Sequence, residues 1–264
     1  MKFRITPKIL IKGLEDIQGK GMYLGDSGLT NSKLGEYVLM ELANDTLTLW
    51  NGDTTFGLTV SLPVEETLEE GTFIGNAAMI IPYLKKFNGI ITLSYGDFLG
   101  VSGGNKSASI PAAVNHPNID AIERIKQMVA DVTYEPVINN LWKFGSSNFE
   151  GAFQITDISF DEAVSGCELV KSGVYLLNYL PVDNDAGVHA TVQISSENGT
   201  ANSYEQVLHP TQSIGDAATL QYSSPLHRFL RGQGLLNFYV KDEFPLLIVG
   251  ENKMIVKAPF TGVD

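Results

Sequence analysis

The amino-acid sequence predicts an α+β fold in which one structural unit occurs twice along the chain. Two observations support this prediction. Short segments of alternating apolar and polar residues, typical of half-buried antiparallel strands, recur between turn residues along most of the 264 positions. In addition, three landmarks of the first half reappear in the second half in the same order and at similar intervals.

The three landmarks have the same local character in both halves. The first is a strand-like segment that leads into a helix-forming stretch, and the second is a proline-led segment followed by glycine and an apolar strand. The third begins with a β-branched apolar residue and leads into glycine, asparagine and lysine. The pairs are 3–6 with 153–156, 82–87 with 225–230, and 101–106 with 248–253. Each unit is therefore predicted to contain antiparallel sheets and two helices.

The first helix of the first unit is predicted to begin after Thr6. This residue suits an N-cap, and Pro7 suits the first helical position, where its missing N–H costs nothing. A helical period then separates an apolar face from a basic one. The apolar residues are Leu10, Leu14 and Ile17, and the basic ones are Lys8 and Lys12.

The strands and the second helix of the first unit follow from alternation and turn residues. Strands are predicted at Tyr37–Leu42, Thr46–Trp50 and Phe56–Leu62, with turns at 44–45 and 51–53. Proline harms a helix interior, so the second helix is predicted to start late, at Pro82. In the second unit Ser224 and Pro225 predict the same late start.

The second unit begins less clearly. Its first helix is capped either by Thr156 or by Ser159, with Glu162 completing a capping box. The strands predicted after it are Gly173–Leu180, His189–Ser195 and Ser203–Leu208. The domains are predicted at 1–116 and 149–264, with a connector at 117–148. The connector contains an amphipathic helix at 119–129 and a second apolar stretch around Trp142 and Phe144.

Composition excludes several classes of protein. No run approaches the ~20 apolar residues that span a bilayer, and the N-terminus lacks the apolar run of a secretory signal. A single cysteine, Cys167, permits no intramolecular disulfide, suits a reducing compartment and is predicted to be a small buried side chain. We therefore expect a cytoplasmic protein, or one in a host cytoplasm if it is viral.

Signals of catalysis are weak. The four histidines lie far apart without metal-ligand spacing, and no Walker-type phosphate loop occurs. Residues 100–104 resemble a nucleophile elbow but are predicted to form a strand-to-strand hairpin. The acids at 65–66 and 69–70 are interpreted as a solvated turn, and Trp50 as a packing residue. The sequence therefore predicts a protein without enzymatic activity, cofactor or metal.

Several segments together resemble the DNA sliding clamps. The likeness covers about two thirds of the chain and consists of core and turn positions. Segments similar to the first domain of the bacterial β clamp are 1–3, 45–49 with Asp53, 70–72, the helix ending at Phe87, 109–111 and 116–120. The end of the chain, 244–248 and 257–259, resembles the last domain of clamps generally, including the proliferating-cell nuclear antigen type.

This resemblance implies a ring around duplex DNA. The bacterial clamp has three such domains per chain, whereas this chain has length for two, as in a phage or archaeal–eukaryotic arrangement. If six domains close the ring, the protein is a homotrimer. The implied partners are double-stranded DNA, bound without sequence specificity, a DNA polymerase and a clamp loader that supplies any ATP hydrolysis.

A clamp needs positive charge on its pore helices, because phosphate attraction alone permits sliding. A net charge of −12 argues against nucleic acid as a partner, but the location of the 18 basic residues decides the question. The alternative for each is an ordinary solvated helix face. The predicted DNA-binding residues are Lys8, Lys12, Lys85, Lys86, Arg228 and Arg231. The first helix of the second unit offers only Lys171, just beyond it.

Clamps also bind short peptides of replication proteins in an apolar groove. By position, Pro245, Leu246 and Pro259 are the predicted partner-binding residues, although they equally suit closure of a sheet edge and tail.

Two other classes of protein compete with a clamp. A β-rich structural assembly protein, such as a virion or tail component, fits strand-rich acidic repeats, whereas a hydrolase lacks any convincing triad or metal cluster.

Overall fold

The chain folds into two compact units. The structure, a computed structural model, describes residues 1–18, 37–52, 56–111, 123, 126, 143–144, 147–181, 189–199, 202–223 and 226–260. Residues 1–18, 37–52 and 57–111 lie in the first unit, and the described residues from 126 onward lie in the second. Most of the connector predicted at 117–148, including Trp142, lies outside the described residues, so the domain boundaries stay predictions.

The described part of the first unit consists of antiparallel strands and two helices. Hydrogen bonding orders the strands as β5-β1-β7-β8-β9 and as β4-β3-β2-β6. The elements are β1 (Lys2–Ile5), α1 (Pro7–Ile17), β2 (Tyr37–Ala43), β3 (Thr46–Gly52), β4 (Phe56–Pro63), β5 (Glu66–Glu69), β6 (Gly71–Asn76), α2 (Ala77–Leu84), β7 (Ile91–Tyr95), β8 (Phe98–Gly103) and β9 (Lys106–Pro111).

The second unit has the same kind of elements. Its strands are ordered β16-β12-β18-β19-β20 and β15-β14-β13-β17, again antiparallel. The elements are β10 (Lys143–Phe144), β11 (Ser147–Asn148), β12 (Gly151–Thr156), α3 (Asp157–Glu168), β13 (Val174–Leu180), β14 (Thr191–Asn198), β15 (Asn202–Leu208), β16 (Gln212–Gly215), β17 (Ala218–Ser223), α4 (His227–Leu230), β18 (Leu235–Val240), β19 (Leu246–Val249) and β20 (Lys253–Lys257).

The two units share one topology, which confirms the repeat predicted from the sequence. Strands β1 and β12 each lead into the first helix of their unit, and each lies second in a sheet of the same strand order. The segments 101–106 and 248–253 are equivalent hairpins, β8–β9 and β19–β20. At the first of these turns Gly104 has φ +57, a left-handed conformation that favours glycine. The hairpin prediction at 100–104 is therefore confirmed.

Helices α1 and α3 bury equivalent positions, related by an offset of 150 residues. In both helices the buried residues recur at the helical spacing that the sequence predicts for the first one. The pairs are Pro7 with Asp157, Leu10 with Phe160, Gly13 with Ala163, Leu14 with Val164, and Ile17 with Cys167. The burial of Cys167 confirms its prediction as a small core side chain.

Aromatic rings form much of the core of the second unit. Phe153 of β12 stacks on Phe238 of β18, with centroids 4.8 Å apart and planes 9° apart, and its centroid lies 5.0 Å from that of Tyr179. Phe160 of α3 contacts Phe238 edge-on at 5.1 Å. The equivalent of Phe153 in the first unit, Phe3, is also fully buried. In the second unit, Phe238 of β18 therefore joins the strand β12 to the helix α3 that follows it.

The late start predicted for the second helix is wrong in the first unit. Helix α2 begins at Ala77, where Asn76 is the N-cap and its side chain accepts a hydrogen bond from the Met79 N–H at 3.1 Å. Pro82 therefore lies inside the helix. It lies on the exposed face, as does Ala78, whose carbonyl lacks the usual N–H partner. Ser224 and Pro225 lie outside the described residues.

The two first helices are capped differently. Thr156 caps α3, because its hydroxyl accepts from the Ser159 N–H at 3.1 Å, which selects the first of the two predicted alternatives. Thr6 is the N-cap residue of α1 but makes no capping hydrogen bond, since its hydroxyl donates to Glu65 instead. Pro7 lies at the start of α1, as predicted.

Two segments predicted as turns belong to strands. Asn51 and Gly52 continue β3, and the buried Asn51 amide donates to the carbonyl of Ile17, so this asparagine caps the end of α1. Asp53 lies outside the described residues. The acids around 66–69 form the exposed edge strand β5, paired with β1. In both places a tertiary partner satisfies backbone groups that the local pattern assigns to a turn.

Strands β12 and β16 approach each other so closely that one added methyl group is expected to lower the stability of the fold strongly. Gly215 has φ +83, and a Cβ there would collide with the Glu150 carbonyl oxygen. We expect Gly215→Ala to lower the free energy of unfolding by about 3 kcal/mol, through strain and overpacking together. Gly232→Ala is the control, since its φ is +77 but nothing lies within 4 Å. Urea denaturation giving equal losses for both variants would contradict the prediction.

Candidate nucleic-acid interface

Helices α1 and α2 pack against each other and present lysines to solvent. Lys8 and Lys12 lie one turn apart on α1, and both side chains are exposed. Neither has a hydrogen-bond or ion-pair partner among the residues that the structure describes. Their charges are thus available to an external anion.

Lys85 and Lys86 follow directly after α2, and both are exposed. The Lys85 Nζ lies 3.3 Å from the Glu15 Oε1 on α1, an exposed ion pair of the kind that contributes ~0–1 kcal/mol. The carbonyl of Lys86 accepts a hydrogen bond from the Lys106 Nζ at 2.8 Å. Lys106 thereby joins the basic cluster of the first unit, although no sequence pattern singles out this strand residue.

The two arginines predicted as DNA contacts lie in ion pairs with α3. Arg228 Nη2 is 2.7 Å from Glu168 Oε1. Arg231 donates twice to Asp161, with Nε at 2.6 Å and Nη2 at 3.2 Å, and this hydrogen bonding raises its pKa. Such two-pronged pairs are among the stronger polar contacts in proteins. The structure therefore exposes the four predicted lysines of the first unit on or directly after two helices that pack together, but it couples the predicted arginines to carboxylates in the second unit.

His227 is buried beneath these ion pairs. Its Nε2 lies 3.5 Å from the Ser165 hydroxyl, 3.6 Å from Glu168 and 3.8 Å from Asp161, while its Nδ1 is buried without a hydrogen-bond partner in the described part of the chain. Burial lowers the pKa of the imidazole to about 4, against the opposing effect of the two carboxylates. His227 is thus neutral at pH 7.

The Ser165–His227–Asp161 grouping does not have the geometry of a hydrolase triad. A triad histidine uses one ring nitrogen for the nucleophile and the other for the carboxylate, whereas here both neighbours approach Nε2. The imidazole is also only 1% exposed, so no substrate reaches it. This cluster therefore gives no support to the competing hydrolase hypothesis.

The structure brings together two histidines that the sequence separates. His189 and His209 line an open cleft of about 570 Å³, together with Ala190 and residues 210–213. No group of three or more potential metal-ligating side chains occurs within the described ranges. His116 lies outside them. The approach of His189 to His209 has no local signal in the sequence, because it depends on where β14 begins and β15 ends.

The predicted peptide-binding residues differ in accessibility. Leu246 is 1% exposed and lies in β19, where it pairs with Lys257, so its side chain belongs to the core. Pro245 and Pro259 are half-buried. The chain then continues to Phe260, whose N–H donates to the Gln221 carbonyl on β17 and whose ring is 38% exposed. An accessible apolar surface at this place therefore involves the two prolines and Phe260 rather than Leu246.

Two further single residues have structural roles. Burial raises the pKa of the Cys167 thiol to about 11, so it stays protonated at neutral pH. Trp50 is 9% exposed in β3, which confirms its prediction as a packing residue.

Among the described helices, none has the length and apolar character needed to cross a membrane.

Sequence comparisons place the chain in no family. No protein-family model matches it, and no curated protein sequence matches it significantly.

Structural comparisons do find similar proteins. The Helicobacter pylori β clamp in complex with 5-chloroisatin has a TM-score of 0.70 at 14% identity, covering 100% of this chain and 64% of that one. The β subunit of DNA polymerase III from Thermotoga maritima has a TM-score of 0.70 at 12% identity, covering 100% and 66%. The PCNA of A. fulgidus bound to the C-terminal region of FEN-1 has a TM-score of 0.62 at 13% identity, covering 100% and 99%.

These likenesses show the fold. The chain has the α+β fold of the sliding clamps, which confirms the fold class predicted from the sequence and the resemblance stated with it. It spans about two thirds of the length of the β clamps and nearly the whole length of the A. fulgidus PCNA.

Proposed function

We propose that this chain, which has the sliding-clamp fold, is a DNA sliding clamp that encircles duplex DNA and tethers replication proteins in the cytoplasm, or in a host cytoplasm if it is viral. The observation that supports this most is the set of exposed basic residues of the first unit on α1, directly after α2 and at the start of β9, called here the basic cluster: Lys8, Lys12, Lys85, Lys86 and Lys106. The protein acts by binding alone, with no catalytic step and no cofactor.

The chemistry of the cluster suits sliding. Lysines are point charges that attract phosphates without reading base edges, so binding energy is the same at every step along the duplex. Lys8 and Lys12 are exposed on a rigid helix, which holds their charges at a fixed spacing. The net charge of −12 leaves the rest of the surface repulsive to DNA, which favours binding at the cluster alone.

We propose that three chains close the ring, since each contributes two units. Strands β9 and β15 end the strand order of their units, and both are six or seven residues long. Exposed apolar side chains lie on or beside both edge strands. Phe98 of β8, which pairs with Pro111 of β9, is 57% exposed, and Val207 of β15 is 49% exposed. Pairing of β9 with β15 of the next chain covers these edges, which are otherwise prone to aggregation.

The expected mass provides a test of this assembly. Light scattering of the 28.7 kDa chain is expected to give three times the monomer mass at micromolar concentration. Phe98→Lys with Val207→Lys is expected to give monomers, because each β9–β15 contact then buries one new lysine from each chain, and these two like charges oppose pairing. The control Leu180→Lys, at a similarly exposed strand end, should leave the trimer intact. A strict monomer of the unaltered chain at all concentrations and salts would contradict the proposed ring.

Tethering requires a surface for other replication proteins. The A. fulgidus PCNA structure contains the C-terminal region of FEN-1, which is a peptide segment of a second protein. We propose that a DNA polymerase and a clamp loader dock through such segments near Pro245, Pro259 and the exposed ring of Phe260, with Leu246 supporting this surface from the core.

Encirclement is tested by topology. Chains dissociated by dilution and then concentrated with nicked circular DNA are expected to close around it and to co-elute with it in gel filtration at moderate salt. Cutting the circle once should release the protein, because a ring slides off a free end. Equal retention on circular and linear DNA would reject encirclement, and no retention on either would reject DNA binding.

A further inference from the structure

The outward faces of α1 and α3 carry different chemistry at equivalent positions. The offset of 150 residues that superposes their buried residues relates Lys8 to Ile158 and Lys12 to Glu162. All four side chains are exposed, Ile158 by 67%. The face that is basic in the first unit is therefore apolar and acidic in the second.

The charge balance of the two helix layers has opposite signs. In the first unit, α1 and the end of α2 carry four lysines against Glu15 and Asp16, a balance of +2. In the second unit, α3 carries four carboxylates and α4 with Arg231 carries two arginines, a balance of −2 with His227 neutral. Those carboxylates are Asp157, Asp161, Glu162 and Glu168.

The cations of the second unit are held by its own acids. Arg231 makes a two-pronged pair with Asp161, and Arg228 contacts Glu168 at 2.7 Å with only 27% of its side chain exposed. A phosphate that recruited either arginine would have to break this pair and leave a carboxylate facing it. Lys8 and Lys12 need no such exchange, since they have no partner within the described residues.

We propose that the duplex is bound through the first unit only. In the proposed clamp, the carboxylates of α3 prevent phosphate contacts at the second unit. This rests on the proposed clamp function and refines it, because a ring of three chains then offers three basic faces alternating with three acidic ones. The DNA is held at three places around the ring, and its affinity has a correspondingly shallow dependence on salt.

Three paired substitutions test this proposal on the full-length protein. The measurement is the slope of log affinity against log salt for a short labelled duplex, by fluorescence anisotropy. Lys8→Ala with Lys12→Ala is expected to reduce the slope by about 0.9 for each phosphate that is no longer neutralised. Arg228→Ala with Arg231→Ala is expected to leave it unchanged. Ile158→Lys with Glu162→Lys gives α3 the lysines that α1 has at the equivalent positions. This variant is expected to steepen the slope by about 0.9 for each phosphate newly bound.

The outcomes separate this proposal from the clamp function itself. Equal flattening by the lysine pair and the arginine pair would overturn the one-sided binding while leaving DNA binding in place. No steepening by the two installed lysines would also overturn it, and this arm remains decisive if the arginine variant fails to fold. If the Lys8 and Lys12 substitutions leave DNA binding unchanged, the proposed clamp function itself is contradicted, and not only the one-sided binding.

Discussion

Replacement of Lys8 and Lys12 by glutamate is expected to abolish nonspecific DNA binding, with a loss in affinity of roughly 10³-fold, because phosphate attraction supplies nearly all of such binding. In a ring of three chains the two positions present six lysines, so the change replaces six attractions with six repulsions. Both residues are exposed, so the free energy of unfolding should change by less than about 0.5 kcal/mol. Extension by a DNA polymerase on a primed template should lose processivity to the same extent.

The matched control for this charge reversal is Lys2→Glu with Lys171→Glu. Lys2 lies on β1 and Lys171 after α3, and both are exposed outside the basic cluster. The control has the same net charge as the test variant, so it isolates position from overall charge. Equal losses for the two double variants would show that total charge rather than the α1 face governs binding.

The free energy of unfolding is expected to fall by up to about 3 kcal/mol as the pH drops from 7 to 4, through protonation of His227. The folded protein holds the pKa of this imidazole at about 4, whereas the unfolded chain has the ordinary value of 6.5. Between these values the unfolded state binds the additional proton, so stability is complete above pH 6.5 and is lost as pH falls through 4. The charged groups facing the ring are Asp161, Glu168, Arg228 and Arg231.

His227→Leu is the informative comparison, because the repeat places Leu84 at the equivalent position and that leucine is fully buried. Chemical denaturation at a series of pH values should show a flatter profile for the variant than for the unaltered chain. The difference between the two profiles removes the contribution of the acids that lie away from His227. Parallel profiles for the variant and the unaltered chain would mean that His227 titrates near its ordinary pKa. The burial of this imidazole would then not be the cause of the stability loss at low pH.

Much of the fold could be predicted because its determinants are local. The strand-like segments Tyr37–Leu42 and Ser203–Leu208 predict β2 and β15 to within a residue at each end, since short segments bounded by turn residues are visible in any window. The start predicted for helix α2, at Pro82, is too late. The prediction rests on the cost of a proline inside a helix, and it does not consider that Pro82 lies on the exposed face of α2. The turn assigned at Asn51 misses that its side chain caps α1, a contact across 34 residues.

The sequence by itself determined the repeated unit, the clamp-like succession of strands and helices, and the exposed lysines of α1. These follow from spacing along the chain, and each copy repeats the same spacing. Only the tertiary structure decided which charges are available. Arg228 matches Lys85 in the repeat and Arg231 lies three residues further on, yet the two arginines meet Glu168 and Asp161 from 60 and 70 residues away. The strength of a charge–charge contact depends on distance and burial in space, and these quantities exist only once α3 and α4 have packed together.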